Sequence, residues 1–366
     1  MNEYDKKFHA ARDTIAEIDK EIAVLFEKRM KAAEDVAAYK KVNGLPIEDL
    51  VREAQLIESN SLLVSDDEIR SYYINFQKNI MKLSKDYQRK LNDGMRVAFS
   101  GVKGAFAELA VKRIFPDGVP TPYNDFKSAY KAVENGECEV AVLPIENSYE
   151  GDVARVMDLT YFGSLFINGV YDMAVEQHLF GIKDANSKTI TKVISHPQAL
   201  GQCAEFIEQK GYLIEEAVNT AVAAEAVAKN NDASVGVICS LEAGNEYGLK
   251  LIDRKINKNS QNTTRFAVFS RVPRDNSADQ NNFIVLFTVR DEAGSLGKAI
   301  SVFGECGYNL KALKSRPSKD VIWNYYFFLE GEGHLTESAE KEMIDKLSEV
   351  CTNVRLVGKY SKEQII

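Results

Sequence analysis

Between residues 10 and 43 the chain has neither proline nor glycine, and Ile15, Ile18, Ile22, Leu25, Phe26, Met30, Ala33 and Ala37 recur there at three- and four-residue steps. That period puts them on one stripe of a continuous α-helix of roughly 30 residues, longer than globular proteins usually build. Asn43-Gly44 supplies its stop and Pro46 a restart. A second helix is expected from about Pro46 to Val64. A third is expected from about Ser65 to Leu91, with Ser65 as its cap and Glu68 three residues on. Three helices in about 90 residues form a thin core for a monomer, so this all-helical domain (1–92) is expected to intertwine as a dimer.

After Asp93-Gly94 short apolar runs alternate with helical segments. Residues 96–100, 139–144, 165–173, 192–195, 234–239 and 264–270 read as strands, and 105–115 and 197–210 as helices, which makes 93–272 an α/β domain. A polar linker, 273–282, leads to strand 283–289, helix 295–306, strands 309–317 and 322–330, helix 336–350 and strand 354–359. That βαββαβ order predicts a ferredoxin-like α+β domain over 281–366. A chain of 366 residues exceeds what one core supports, so several domains are expected. Its 45% hydrophobic and 27% charged residues are those of a soluble protein, and a formal charge of −8 argues against a nucleic-acid partner. Five scattered cysteines without a CxxC pair, and only four histidines, point to neither disulfide frame nor metal site. No cofactor is expected. With no basic-then-apolar start and no apolar run of about 18 residues, no membrane association is expected, and the cytoplasm is the expected compartment.

On the first helix, at about 100° per residue, Arg29 and Lys40 fall within roughly 20° of each other, while Arg12 points about 100° away. Asp49, Arg52 and Glu53 share a face of the second helix, and Ser84 and Gln88 a face of the third. Spacing alone is equally explained by solvated helix faces. The pattern Arg12, Arg29, Lys40, Asp49-Leu50-Val51-Arg52-Glu53, Ser84 and Gln88 nevertheless resembles the all-helical chorismate mutase family. The resemblance implies a dianionic substrate, chorismate, rearranged without acid, base or covalent intermediate. Arg29, Arg52 and, from a partner chain, Arg12 would clamp its carboxylates. Lys40 and Gln88 would face the ether oxygen, where charge grows as the bond breaks. Glu53 would hold the ring hydroxyl, with Asp49 and Ser84 in support.

In the α/β domain, Pro144-Ile145-Glu146-Asn147-Ser148 and Ser195-His196-Pro197-Gln198 each close a strand, where ligand sites of α/β sheets lie. Asn262-Thr263-Thr264-Arg265-Phe266 opens another. Singly these read as a turn, a helix start and β-branched strand filler. Together, and with Val97-Ala98-Phe99-Ser100-Gly101-Val102-Lys103-Gly104-Ala105-Phe106, they resemble prephenate dehydratase, which usually has Gly-Pro where this chain has Gly101-Val102. The resemblance implies two lobes hinged like a periplasmic binding protein, the second over about 171–254, with the site in the cleft. It makes Thr264, directly before Arg-Phe, the catalytic donor to a departing hydroxide. Strand alternation sends Thr263 and Thr264 to opposite faces, so only one shares a pocket. Glu146, Asn147 and Gln198 would orient prephenate or Thr264, with Ser148 and Ser195 as further candidates. Arg265 would be either a carboxylate counter-charge or a structural pair.

Glu292-Ala293-Gly294-Ser295-Leu296 and Leu313-Lys314-Ser315-Arg316-Pro317 resemble the phenylalanine-binding ACT domain that follows dehydratase domains. The resemblance implies an effector site at Gly294, Ser295, Leu296, Ser315, Arg316 and Pro317. Lys314 stands where that family usually has an acidic residue. The three resemblances, in this order, imply a bifunctional enzyme of phenylalanine biosynthesis. A bilobed solute sensor without catalysis is the rival reading; Lys40, Gln88 and Thr264 discriminate, because binding alone does not require them.

Overall fold

The computed structural model describes residues 3–258, 262–274, 280–318, 325–361 and 364–366. The chain forms two compact units, Met1–Met95 and Arg96–Ile366. No helix among the described residues is long and apolar enough to cross a membrane.

The first unit holds three helices, α1 (Glu3–Val42), α2 (Leu50–Ser61) and α3 (Asp67–Asp93). The uninterrupted helix-forming sequence carries α1 to 40 residues, beyond the expected stretch at its start. It ends as the Asn43-Gly44 signal requires. Gly44 takes φ 63°, its N–H reaches the Lys41 carbonyl and Leu45 N–H reaches back to that of Lys40, which closes the last turn. The cap of α3 is Asp66, not Ser65: its carboxylate accepts from the N–H groups of Glu68 and Ile69 at 2.9 and 3.1 Å. A full negative charge there also meets the positive end of the helix dipole, which a hydroxyl does not. Helices α1 and α3 run parallel, since Arg29 donates to the Ile80 carbonyl and Lys41 to that of Asn92. Only Ala33 and Ala37 of α1 are buried, whereas Ile15, Ile18, Ile22 and Leu25 remain 43–62% exposed. Within this chain the apolar stripe of the first half of α1 is left uncovered.

The second unit contains three sheets. The first has seven strands, ordered Gln364–Ile365, Phe166–Ala174, Thr263–Ser270, Val140–Asn147, Arg96–Ser100 and Val119–Tyr123, with Gly151–Asp152 paired onto Val140–Asn147. The second has five, Lys250–Asp253, His178–Gly181, Val235–Cys239, Lys192–Ser195 and Leu213–Glu216. The chain passes between these sheets after Ala174 and returns before Thr263, so the second lobe starts just beyond Ala174 rather than at 171. Strand Phe166–Ala174 stays in the first sheet because it pairs with Thr263–Ser270 along its length.

The third sheet is antiparallel, ordered Asn309–Pro317, Tyr325–Glu332, Asn282–Val289 and Cys351–Tyr360, with helices Ser295–Glu305 and Glu337–Val350. The expected strand start at 322 lies outside the described residues, as do 275–279 of the linker. Strand Asn282–Val289 reads as an unbroken apolar run because both faces are covered. Phe283, Val285 and Phe287 pack on the two helices through Phe303 and Leu347, whereas Ile284 and Leu286 join the core of the first lobe with Ile167 and Val170. At that junction the backbones come close: a Cβ on Gly358 would sit 1.9 Å from the Ile167 carbonyl oxygen.

Gly358→Ala is therefore expected to force the third sheet off the first lobe and to destabilise the unit by about 1–3 kcal/mol, the usual range for overpacking. Gly201→Ala, whose added Cβ meets nothing within 4 Å, should leave the unfolding curve in place. Denaturant unfolding of both variants checks the difference.

Candidate active sites

The strongest cluster lies between the two lobes, in a cavity of about 650 Å³. Strands Val140–Asn147 and Thr263–Ser270 run antiparallel with Thr264 opposite Asn147 and Arg265 opposite Glu146. Successive side chains on a strand alternate, so the first pair faces the cleft and the second faces away. The Asn147 amide donates to Thr264 Oγ1 at 2.9 Å and to Asn262 Oδ1 at 3.0 Å. Its own Oδ1 accepts from the N–H groups of Tyr149 and Glu150, at 2.9 and 3.0 Å. Two backbone donors fix the amide orientation, so its NH2 group must point at Thr264. Thr264 thus has its oxygen occupied as an acceptor and its O–H proton free to donate into the cleft.

Gln198 lines the opposite wall, in helix Pro197–Gln202, where His196 Nδ1 accepts the Gln198 N–H at 3.2 Å. Ser195 and Ser148 do not reach the cleft. Ser195 is fully buried and donates to the Ile238 carbonyl, and Ser148 Oγ accepts from Thr263 N–H at the strand end. Among the lining residues not anticipated from the sequence are three long polar side chains, Gln177, Gln202 and Arg155. Gln177 and Gln202 are buried amides, and Gln177 Oε1 has no hydrogen-bond partner among the described residues. Arg155, in the first turn of helix Ala154–Phe162, is exposed in the cleft and has no ion-pair partner among the described residues. No motif marks these three, because each depends on the lobes facing one another.

Glu146 and Arg265 belong to the face opposite the cleft. Arg265 grips the buried Glu330 of the third sheet with two hydrogen bonds, at 2.8 and 3.1 Å, and also meets Glu146 at 3.3 Å. Of the two roles open to Arg265, the structural pair is the one formed. Burial alone would push the Glu330 carboxyl up. Hydrogen bonding and charge from Arg265, the Tyr360 hydroxyl and the nearby Lys311 outweigh it and hold the group down at about 2. Lys314 is likewise paired, at 3.0 Å to Glu146 and 2.5 Å to Asp152. Arg316 and Tyr326 both bond Asp158 of the first lobe, the first at 2.8 Å and the second at 2.9 Å.

In the helical unit, α1 and α3 bring Arg29 to the side chain of the buried Ser84. One turn further along α3, Gln88 is 8% exposed and its Oε1 has no hydrogen-bond partner among the described residues. Lys40, further along α1, donates to the Ile47 carbonyl at 2.6 Å. Glu53 pairs with Lys85 at 3.0 Å, and Asp49 caps α2 by accepting the Arg52 N–H at 3.0 Å, while Arg52 itself is exposed. Arg12 is not part of this cluster. It lies 17 residues before Arg29 on one rigid helix, about 25 Å away at the α-helical rise, and stacks on Phe8.

In the third sheet's domain, Gly294, Ser295 and Leu296 line a cavity of about 300 Å³ at the start of helix Ser295–Glu305. Gly294 takes φ 86° at the cap position and provides no capping side chain. Ser315, Arg316 and Pro317 are not among the lining residues, so one chain does not gather the two motifs.

Comparison with known proteins gives family matches for the helical unit and for the two lobes. Residues 11–89 match the Chorismate mutase type II family and residues 97–274 the Prephenate dehydratase family. A bifunctional chorismate mutase/prephenate dehydratase of Enterobacter agglomerans is 28% identical over 99% of this chain and 98% of its own length. Arogenate dehydratase 2 of Petunia hybrida is 30% identical over 86% of this chain and 84% of its own. The solved prephenate dehydratase of Staphylococcus aureus superposes with a TM-score of 0.65 at 25% identity, covering 73% of this chain and all of that one. A protein described as a quorum quenching acylase, GqqA, superposes with 0.67 at 28% identity over 73% of this chain and 97% of its own. Since one fold carries two described activities, the fold alone does not choose between them. The matched domains and their order do: the chain belongs to the prephenate dehydratase family, in the bifunctional form that carries a chorismate mutase domain ahead of the dehydratase domain.

Proposed function

We propose that the helical unit rearranges chorismate to prephenate and that the interlobe cleft converts prephenate to phenylpyruvate, two consecutive steps toward phenylalanine. The observation that carries the second step is the Asn147–Thr264 pair. Decarboxylation sends the C–C bonding electrons into the ring as the C4 hydroxyl leaves, and aromatisation drives the change. Only the departing hydroxide needs help. A threonine hydroxyl, polarised by the amide that donates to it, supplies a hydrogen bond there without having to titrate near neutral pH. Gln198 and the buried amides of Gln177 and Gln202 hold the substrate. Arg155 takes the carboxylate role for which Arg265 was one candidate, since Arg265 is committed to Glu330.

For the first step the reading rests on Arg29, Lys40, Ser84 and Gln88 along two parallel helices. Arg29 and Arg52 bind carboxylates, and Lys40 and Gln88 stabilise charge at the ether oxygen in the transition state. Glu53 holds the ring hydroxyl, with Asp49 keeping α2 in place. Arg12 completes the site of a second copy, whose α1 also covers the exposed stripe Ile15 to Leu25 in a homodimer. The third sheet's domain is read as an ACT domain with ferredoxin-like topology that takes phenylalanine as effector at Gly294, Ser295 and Leu296, with Ser315, Arg316 and Pro317 of a second copy. The enzyme's compartment is read as the cytoplasm.

Feeding chorismate to the pure chain should give prephenate and then phenylpyruvate; formation of neither would end the enzymatic reading. Thr264→Ala should cut phenylpyruvate formation about 100-fold or more while prephenate accumulates, with Thr264→Ser retaining part of the rate. Arg155→Met should raise the KM for prephenate roughly ten-fold or more, as expected when one charge-assisted hydrogen bond is removed. For the mutase, co-expressed Arg12→Ala and Lys40→Ala chains should recover about a quarter of wild-type activity. Half of randomly assembled two-fold dimers are mixed, and each mixed dimer keeps one intact site of two. No recovery would mean that Arg12 serves the site of its own chain, and full activity of Arg12→Ala alone would place Arg12 outside the site.

A further inference from the structure

The two strands that carry Asn147 and Thr264 are held from behind by charges of the third sheet. Glu146 is next to Asn147 and Arg265 next to Thr264, and these neighbours face away from the cleft as a cross-strand pair. Glu146 is also directly opposite Asp152 in the short ladder that closes the Asn147–Gly151 turn. Two carboxylates facing each other across a ladder repel and would open that turn. Lys314, from strand Asn309–Pro317, bridges them at 3.0 and 2.5 Å, with only 17% of its side chain exposed. The turn it closes carries the Tyr149 and Glu150 N–H groups that fix the Asn147 amide.

We infer that Lys314 is a positioning residue of the dehydratase site, with Glu330 as its companion. Lys314 neutralises the Glu146–Asp152 pair and so holds the Asn147 turn, while Glu330 holds Arg265 and with it the Thr264 end of the neighbouring strand. Removal of the Lys314 charge lets the turn relax, the Asn147 amide swing and the Thr264 hydroxyl lose its aim, while the groups that bind the substrate stay in place. An acidic side chain at 314 would be the third carboxylate in one small space. The lysine therefore fits a chain that has an aspartate at 152. The inference rests on the dehydratase reading above.

The test compares full-length wild type with Lys314→Met, Lys314→Glu and Lys314→Arg, using prephenate for the dehydratase and chorismate for the mutase in the same preparations. Lys314→Met is expected to lower the dehydratase kcat roughly ten-fold with KM within about two-fold, and Lys314→Glu to lower it further. Lys314→Arg should restore most of the rate, and mutase activity should stay at the wild-type level throughout. Glu330→Gln should repeat the kcat loss from the other strand. A raised KM at unchanged kcat would place Lys314 in substrate attraction and overturn the positioning role, as would a Lys314→Met enzyme with unchanged kcat. Loss in Lys314→Arg equal to that in Lys314→Met, with a fallen melting temperature, would make the residue merely structural and overturn it too. Wild type that forms no phenylpyruvate would sink the dehydratase reading itself, whereas an active wild type indifferent to Lys314→Met sinks the inference alone.

Discussion

The antiparallel register of Val140–Asn147 with Thr263–Ser270 sets what the larger unit can do. Because Thr264 is opposite Asn147 and Arg265 opposite Glu146, a single ladder presents a hydrogen-bonded amide and hydroxyl on one face and an ion pair on the other. Slippage by one residue would exchange the faces, turning a guanidinium into the cleft and burying the threonine among charges. The second lobe, the turn after Asn147 and the third sheet all act on this register. They close the cleft over it, orient its amide and brace its rear.

The two units solve different chemical problems with the same economy of titrating groups. In the proposed mechanism the cleft needs one donor aimed at a departing oxygen, the role we assign to the Thr264 hydroxyl polarised by the Asn147 amide. In the helical unit the proposed reaction needs confinement and fixed charge, a role we assign to the cations of one helix and the buried polar pair of another. Buried amides recur in both places: Gln88 in α3 and Gln177 in the cleft each keep an oxygen without a partner among the described residues. Such groups are costly to bury unless a ligand completes them.

Much of this is legible in the sequence, and the reasons differ by residue. Helix α1 is readable because propensity, periodicity and the Asn43-Gly44 stop agree with each other over many turns. Thr264 and Asn147 are readable through short motifs beside strand ends. The cap of α3 falls one residue from its expected place, because Ser65 and Asp66 are both good caps and only the backbone decides which oxygen reaches the N–H groups. Ser148 looks like a site residue from its neighbours in sequence, yet the strand pleat turns it to the Thr263 backbone. Arg155 carries no local signal at all, since a basic residue in a helix's first turn is ordinary until a second lobe faces it.

By itself the sequence determined the local order: three helices, then a run of alternating strands and helices, then a βαββαβ order, each encoded by periodicity and turn residues within a few neighbours. Tertiary structure alone decided the partners of charge. Lys314 meets Glu146 and Asp152, and Arg265 meets Glu330, across separations of 65 residues or more. No spacing rule spans such distances, because electrostatic pairing depends on where packed sheets bring side chains in space, and that is fixed only when the apolar faces of all three sheets are buried together.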